Sequence, residues 1–261
     1  RLIPQVVYYV VAYLDLVNNK KINLGDKVNF VVPTGNFGNI LAGYYAEQIG
    51  LPVNKLICAS NNNNVLYDFL TTGVYDKNRD FLKTVSPSMD ILISSNLERL
   101  LYYVSGRDNE YIARLMKDLK ETGRFEVTQE ILSIIKEKFQ AGYTTDEDTK
   151  EIIKAIYDKD NYLLDTHTAV AYKVLLDNLD KNHASIVLST ASPYKFTESV
   201  YSSLNTPSNE DEFTLMEKLH EQTKVDIPEN LQGLDKKEIR HKDVINKEDM
   251  KKYILEKLGE L

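Results

Sequence analysis

Apolar residues at Ile3, Val6, Val7, Val10, Val11, Leu14 and Val17 return every three or four positions, the spacing that gathers side chains on one face of a helix. Pro4 falls in the first turn, where its missing N–H is not needed. An amphipathic helix therefore opens the chain. After the turn Asn23-Leu24-Gly25-Asp26 the pattern changes: Val28-Asn29-Phe30-Val31-Val32 is short, β-branched and aromatic, and it stops at Pro33, as a buried parallel strand does. The loop Pro33-Thr34-Gly35-Asn36-Phe37-Gly38-Asn39 leads into a helical stretch from Ile40 that ends at Gly50, and Lys55 to Ala59 reads as a second strand. Strand, glycine loop, helix and strand make a βαβ unit, whose crossover is expected to be right-handed.

Farther on, Val65 to Thr72 reads as a helix and Met89-Asp90-Ile91-Leu92-Ile93 as an extended piece. The block 97–181 is mostly helical, including Asp108 to Glu121, Thr128 to Phe139 and Thr145 to Tyr157, and is expected to form an outer layer over the sheet. Ala184 to Ser189 reads as another buried strand. The remainder is charged, is interrupted by Pro207, Pro228 and Gly233, and keeps one helical stretch at Lys247 to Leu258. The expected architecture is α/β: a mostly parallel sheet flanked by helices over residues 1–205, with a helical insertion at 97–181 and a peripheral C-terminal tail at 206–261.

Composition narrows the function classes. At 261 residues and 43% hydrophobic content the chain can bury a substantial core. Its formal net charge of −7 leaves no broad basic surface, so nucleic acid and anionic lipid are set aside as partners. No apolar run approaches the roughly 18 to 20 residues of a membrane span. The single Cys58 lies in an apolar strand pattern and has no internal disulfide partner, which fits a reducing cytoplasm. The chain opens on Arg1 rather than Met, directly in a helical pattern, so an upstream segment is expected.

The loop after the first strand carries the candidate chemistry. Gly35 and Gly38 permit unusual backbone conformations and close approach, so successive N–H groups can converge on an anion. The helix that follows adds the positive end of its dipole. The loop has no lysine and no Gly-Lys-Ser/Thr ending, unlike a nucleotide P-loop. By residue types alone, a plain strand-to-helix turn accounts for the glycines as well as a ligand does.

The order of several segments resembles the threonine synthase family. Arg1-Leu2-Ile3-Pro4-Gln5 with Tyr8-Tyr9 resembles the end of that family's Asn-Trp-x-Arg helix start. Pro33 to Asn39 resembles its Pro-Thr-Gly-Asn-Phe-Gly-Asn cofactor loop. Ser86 to Ile91 followed by Ser95-Asn96-Leu97-Glu98-Arg99 is similar to a third family segment, and Asp165 to Val170 to a fourth. Ser189-Thr190-Ala191-Ser192-Pro193-Tyr194-Lys195-Phe196 resembles Ser-Thr-Ala-His-Pro-Ala-Lys-Phe, with Ser192 and Tyr194 in place of His and Ala, while Thr166 stands where Pro is common.

The resemblance implies part of the large domain of a fold-type II pyridoxal 5′-phosphate (PLP) enzyme that converts O-phosphohomoserine and water to threonine and phosphate. By the match, Gly35, Asn36, Phe37, Gly38 and Asn39 surround the PLP phosphate and Thr190 meets the pyridine nitrogen, a hydroxyl implying a milder electron sink than a carboxylate would. A strand-end threonine capping the next helix is the alternative for Thr190. Arg1 is the candidate for the substrate's phosphate, since a guanidinium can bind it bidentately; an ordinary exposed arginine accounts for it equally. The family's Schiff-base lysine lies in a segment resembling Ser-Phe-Lys-Asp, which does not occur here. No catalytic residue is therefore nominated within the chain, which is expected to be inactive alone. The competing readings are another type II PLP lyase of the dehydratase kind and a non-catalytic anion-binding domain.

Other polar residues read as structural. His167 is expected to cap a helix rather than face the active-site crevice, Asn61 to Asn64 to open one rather than offer amides to substrate, Asp90 and Glu98 to serve the fold, and Asp146, Glu147 and Asp148 to form a solvated helix start. His183, His220 and His241 are too scattered for a zinc site, and no metal is expected. Oligomeric state is left open.

Overall fold

Val28–Pro33 forms strand β1, and its burial at all six positions calls for cover on both faces of the sheet. In this computed structural model, which describes residues 2–259, β1 pairs in parallel with β2 (Val53–Ser60) on one side and with β6 (Ala184–Val187) on the other. A further strand, β5 (Phe139–Tyr143), pairs in parallel with β2, giving the order β5-β2-β1-β6. Alternation along the strands divides the core. Phe30, Val32, Leu56 and Cys58 belong to a cluster with Tyr9, Ile40, Leu41 and Phe69, whereas Val31, Ile57 and Ala59 pack with Val170, Ala171 and Val174. The first face is covered by α1 (Leu2–Asn18) and α2 (Gly38–Gln48), and the second by α8 (Thr166–Asp177).

Helix α1 forms where its periodicity places it, but its expected apolar face is buried only in part, with Val6 and Val17 packed against the core. Ile3, Val7, Val11 and Leu14 are exposed, and the fully buried side chains are Tyr9 and Tyr13. Tyr9 packs edge-on to Phe30 with ring centroids 4.9 Å apart, and the Tyr13 hydroxyl accepts from the Gly25 N–H at 2.8 Å. A tyrosine can bury its ring while its hydroxyl finds a partner at the far end, so a hydrophobicity count underweights this face.

Between β2 and β6 the chain runs through α3 (Val65–Thr72), β3 (Val74–Asp76), α4 (Leu97–Val104), α5 (Asn109–Thr122), β4 (Arg124–Glu126), α6 (Gln129–Lys138), β5 and α7 (Asp146–Asp160). The helices at 109–122, 129–138 and 146–160 start behind Asp108, Thr128 and Thr145, each of which accepts a first-turn N–H. Three strands interrupt this block. β5 lies at the sheet edge, so the segment is part of the sheet as well as its cover. β3 and β4 form a separate antiparallel pair in which Tyr75 stacks on Phe125 at 5.1 Å. All three are five residues or shorter, and their flanking helices dominate the pattern. The expected extended piece at 89–93 is instead a 3-10 turn at Pro87–Met89 followed by irregular chain. β6 is half-buried, not buried, because it is an edge strand with β1 as its only neighbour among the described residues.

One compact unit covers 1–225 and a second 226–261. The first reaches beyond residue 205 because α10 (Glu212–Thr223) packs on α9 (Thr197–Leu204), and the Tyr194 hydroxyl donates to the Val225 carbonyl at 2.5 Å. In the second, α11 (Met250–Leu258) is tied to its approach segment through Asp243, which accepts from the Tyr253 hydroxyl at 2.5 Å and pairs with Lys257 at 3.0 Å.

Candidate functional site

The β1 strand delivers its loop to the carboxyl edge of the sheet, where open α/β folds bind ligands. The Thr34 N–H donates to Ala59 O at 2.8 Å and its hydroxyl to Val32 O at 2.7 Å, so the chain is held to the sheet until the turn begins. Phe37 then adopts φ 60°, the left-handed conformation, and α2 starts at Gly38. Neither Gly35 nor Gly38 has a positive φ. The conformational freedom expected of the glycines is thus used by Phe37, whose ring is buried against Phe139 at 5.7 Å. What Gly35 supplies is room: a Cβ there would lie 2.9 Å from Ser88 O and 3.2 Å from Met89 Cα.

The consequence is a run of unmatched donors. Among the described residues no acceptor is found for the N–H groups of Gly35, Asn36, Phe37, Gly38, Asn39 or Ile40, and Phe37 makes no side-chain cap. The last three belong to the first turn of α2, which has no intrahelical acceptor for them.

The segment 84–96 wraps this turn. Ser94 Oγ donates to Gly35 O at 2.9 Å, and the Asn96 side-chain amide and backbone N–H donate to Asn36 O at 2.7 and 3.2 Å. The wrap is fastened by Asp90. Its Oδ1 accepts from Asn61, Asn63 and Thr84 side chains at 2.8, 2.9 and 2.7 Å, and its Oδ2 from the Thr84 N–H at 3.0 Å. Asn61 and Asn63 are buried and serve as clamps; at the cap position of α3 stands Asn64, without a side-chain cap bond. The Tyr75 hydroxyl accepts from the Ser94 N–H at 2.8 Å and donates to Leu92 O at 3.1 Å, and burial pushes its phenol up to about 12. Asp146, expected to be merely solvated, accepts from the Val85 N–H at 3.2 Å, and its partial burial raises its carboxyl above the ordinary value.

Loop and wrap enclose a cleft of about 870 Å³, lined by the Pro33–Asn39 stretch together with Leu2, Ile3, Gln5, Ser88, Ser95, Asn96 and Arg99. A second hollow of about 640 Å³ lies along β6 and shares Gln5 and Asn39 with the first. Its wall ends in Ser189 and Thr190. The Leu188 N–H donates to Val31 O at 3.0 Å, extending the β1–β6 pairing, so the two chains leave the sheet side by side. Asn39 is held in turn by the Tyr9 hydroxyl, which donates to its carbonyl at 2.8 Å; burial raises this phenol well above its usual value.

The family model for threonine synthase, C-terminal, matches residues 168–254. The chain is 39% identical over 226 residues to threonine synthase of Saccharomyces cerevisiae, covering 80% of this chain and 43% of that protein. It is 43% identical over 206 residues to threonine synthase-like 1 of Macaca fascicularis, covering 78% of this chain and 28% of that protein. Among solved structures, threonine synthase from yeast aligns over 100% of this chain and 52% of its own at 36% identity with a TM-score of 0.85. The PLP-bound threonine synthase from Brucella melitensis aligns over 83% and 46% at 41% identity with a TM-score of 0.75.

The chain is similar to part of the threonine synthases, and its residues 168–254 match their C-terminal family model.

It spans about half or less of the length of the threonine synthases it matches. Of the residues that the resemblance to this family singled out, Gly35 to Asn39 line the main cleft, and Thr190 lines the adjoining hollow, exposed and without a hydrogen bond among the described residues. The next helical turn is capped by Ser192, which accepts from the Tyr194 N–H at 3.3 Å, so capping does not account for Thr190. Arg1 lies outside the described residues.

His167 is buried, and the cap of its helix is Asp165, which accepts from the His167 and Thr168 N–H groups at 2.8 and 3.2 Å. The imidazole packs at a tilt against Phe196 with centroids 4.5 Å apart, and its Nε2 accepts from the Ser88 N–H at 3.1 Å. The proton of the neutral ring then belongs on Nδ1, which faces Thr166 Oγ1 at 3.3 Å. His167 therefore positions the wrap over Gly35. Residues absent from the sequence-based candidates are Gln5, Ser88, Ser95, Asn96 and Arg99. All five stand in segments whose family likeness was legible, but no local pattern says that the stretch 86–99 folds back over the loop. Among the described residues no group of three or more His, Cys, Asp or Glu side chains is placed to hold a metal ion, no helix is long and apolar enough to cross a membrane, and no lysine lines either hollow.

Proposed function

We propose that this chain supplies the cofactor-phosphate loop and the pyridine-nitrogen hydroxyl of a cytoplasmic threonine synthase acting on O-phosphohomoserine and water. The observation that carries the reading is the run of six N–H groups from Gly35 to Ile40 without acceptors among the described residues, in a stretch whose first five residues line the cleft adjoining the hollow that bears Thr190. A dianionic phosphate ester suits such a cradle: it accepts several hydrogen bonds and gains from the positive end of α2. The absence of a Cβ at Gly35 keeps loop and wrap close, and Tyr9 fixes Asn39.

In the reaction, bound PLP would supply the electron sink for the substrate's carbon skeleton. The residues here orient it. The loop amides hold the phosphate end, the Thr190 hydroxyl is available to donate to the ring nitrogen, and the 84–96 wrap limits water at the loop. The lysine that forms the Schiff base is assigned to a part of the enzyme outside residues 1–261, and Arg1 to the phosphate of the substrate. The test is release of threonine and inorganic phosphate from O-phosphohomoserine by the full-length protein with PLP, together with borohydride reduction and adduct mapping. The expected adduct lies outside residues 1–261. A stoichiometric adduct at one lysine within them, or no turnover of O-phosphohomoserine, overturns the reading.

A further inference from the structure

Arg99 is the only Lys or Arg among the described residues lining the main cleft. It makes no ion pair with a described carboxylate, unlike Arg79, which is bound to Asp68 at 2.8 Å, and Lys138, bound to Glu47 at 2.7 Å. Its place is set by a short relay. The Asn96 side-chain amide donates to Asn36 O in the phosphate loop at 2.7 Å, which turns the Asn96 Oδ1 to accept from Arg99 Nη1. One of the five guanidinium donors is thereby used, and the rest of the fork is unmatched by described acceptors. Asn96 and Arg99 stand at the start of α4, and Ser95 adds a hydroxyl to the same wall.

We infer that Arg99, oriented by Asn96, binds the phosphoryl group of the amino-acid substrate and sets the enzyme's preference for a phosphate ester. The inference rests on the proposed activity, which assigns Arg1 to the same phosphate, and adds Arg99 as a second cation that reads the leaving group. The six loop amides suit one phosphate, and a second anion in the same cleft requires its own cation. Arg99 is exposed, which favours the group that departs: a released phosphate must return to water, whereas the substrate carboxylate stays with the product. A dianion also gains about twice the coulombic attraction of a carboxylate at equal distance.

The experiment uses full-length Arg99→Gln and Arg99→Lys, with bound-cofactor absorbance as the check on folding. KM for O-phosphohomoserine and Kd for 2-amino-5-phosphonopentanoate are expected to rise by about 10- to 100-fold in Arg99→Gln. Lysine should restore part of the loss, while PLP affinity and the binding of norvaline, which has the carboxylate and no phosphonate, stay at the wild-type level. Equal weakening of norvaline would assign Arg99 to the carboxylate, and a matching fall in PLP affinity would assign it to the cofactor phosphate; either overturns the inference, as does unchanged phosphonate binding. Absence of phosphate release by the wild type would instead sink the proposed activity, so the two failures are told apart.

Discussion

At the residue scale, the phosphate loop depends on an exchange of roles between neighbours. Gly35 has an ordinary φ and is needed for space, while Phe37 takes the left-handed conformation and its buried ring holds it there. A left-handed non-glycine residue persists only where its surroundings over-determine it, and here the contact between Phe37 and Phe139 does so. Gly35→Ala should therefore be costly even though its φ is not positive. The atoms its Cβ would meet are backbone atoms of Ser88 and Met89, which cannot swing aside as a side-chain tip does. We expect a loss of about 1–3 kcal/mol in stability and weaker PLP binding, read by urea unfolding and cofactor titration. Wild-type values in both would show that the wrap is not seated against this glycine.

At the element scale, the 84–96 wrap has almost no regular secondary structure and is held by side chains instead. Asp90 gathers four donors, His167 takes the Ser88 N–H, and Tyr75 bridges the Ser94 N–H and Leu92 O. Removing Asp90 would leave the buried Asn63 amide with Leu82 O as its one remaining described acceptor and the Thr84 N–H with none, and leaving a buried donor unmatched costs about 1–3 kcal/mol per group. Asp90→Ala should accordingly lower stability by about 2–4 kcal/mol and increase proteolytic cleavage between residues 82 and 96. Cleavage at the wild-type rate would mean that the wrap has other anchors. Sequence periodicity has no hold on such a segment: its residues pack largely by hydrogen bonding to partners 17 to 79 positions away, and the extended reading of Met89 to Ile93 failed for that reason. The helices behind Asp108, Thr128 and Thr145 were legible because their capping groups are local.

At the scale of the whole molecule, Thr190 reaches the neighbourhood of the loop only because β6 pairs with β1, across 156 positions of sequence at Asn29 and Ser185. Thr190 is exposed, so Thr190→Val in the full-length enzyme should leave the melting temperature unchanged and lower kcat by about tenfold, the value of one hydrogen bond made to the cofactor ring. Unchanged kcat would remove Thr190 from the site.

Much of this architecture was written in local pattern. The unbroken apolar run of β1, the glycine loop behind it and the helical stretches express themselves within a few residues, and the family segments carried the likeness to threonine synthase. Other features were decided only by the tertiary structure. Which face of α1 is buried depends on where Phe30 and Asn39 lie to receive Tyr9; the four-stranded order with β5 at one edge depends on long-range pairing. The cleft itself requires the wrap to fold back over Gly35, and its cation, Arg99, arrives with that wrap. Local sequence can specify a turn or a helix because their hydrogen bonds close within four residues or so, whereas a site assembled from four distant segments exists only once the sheet and its cover have brought them together.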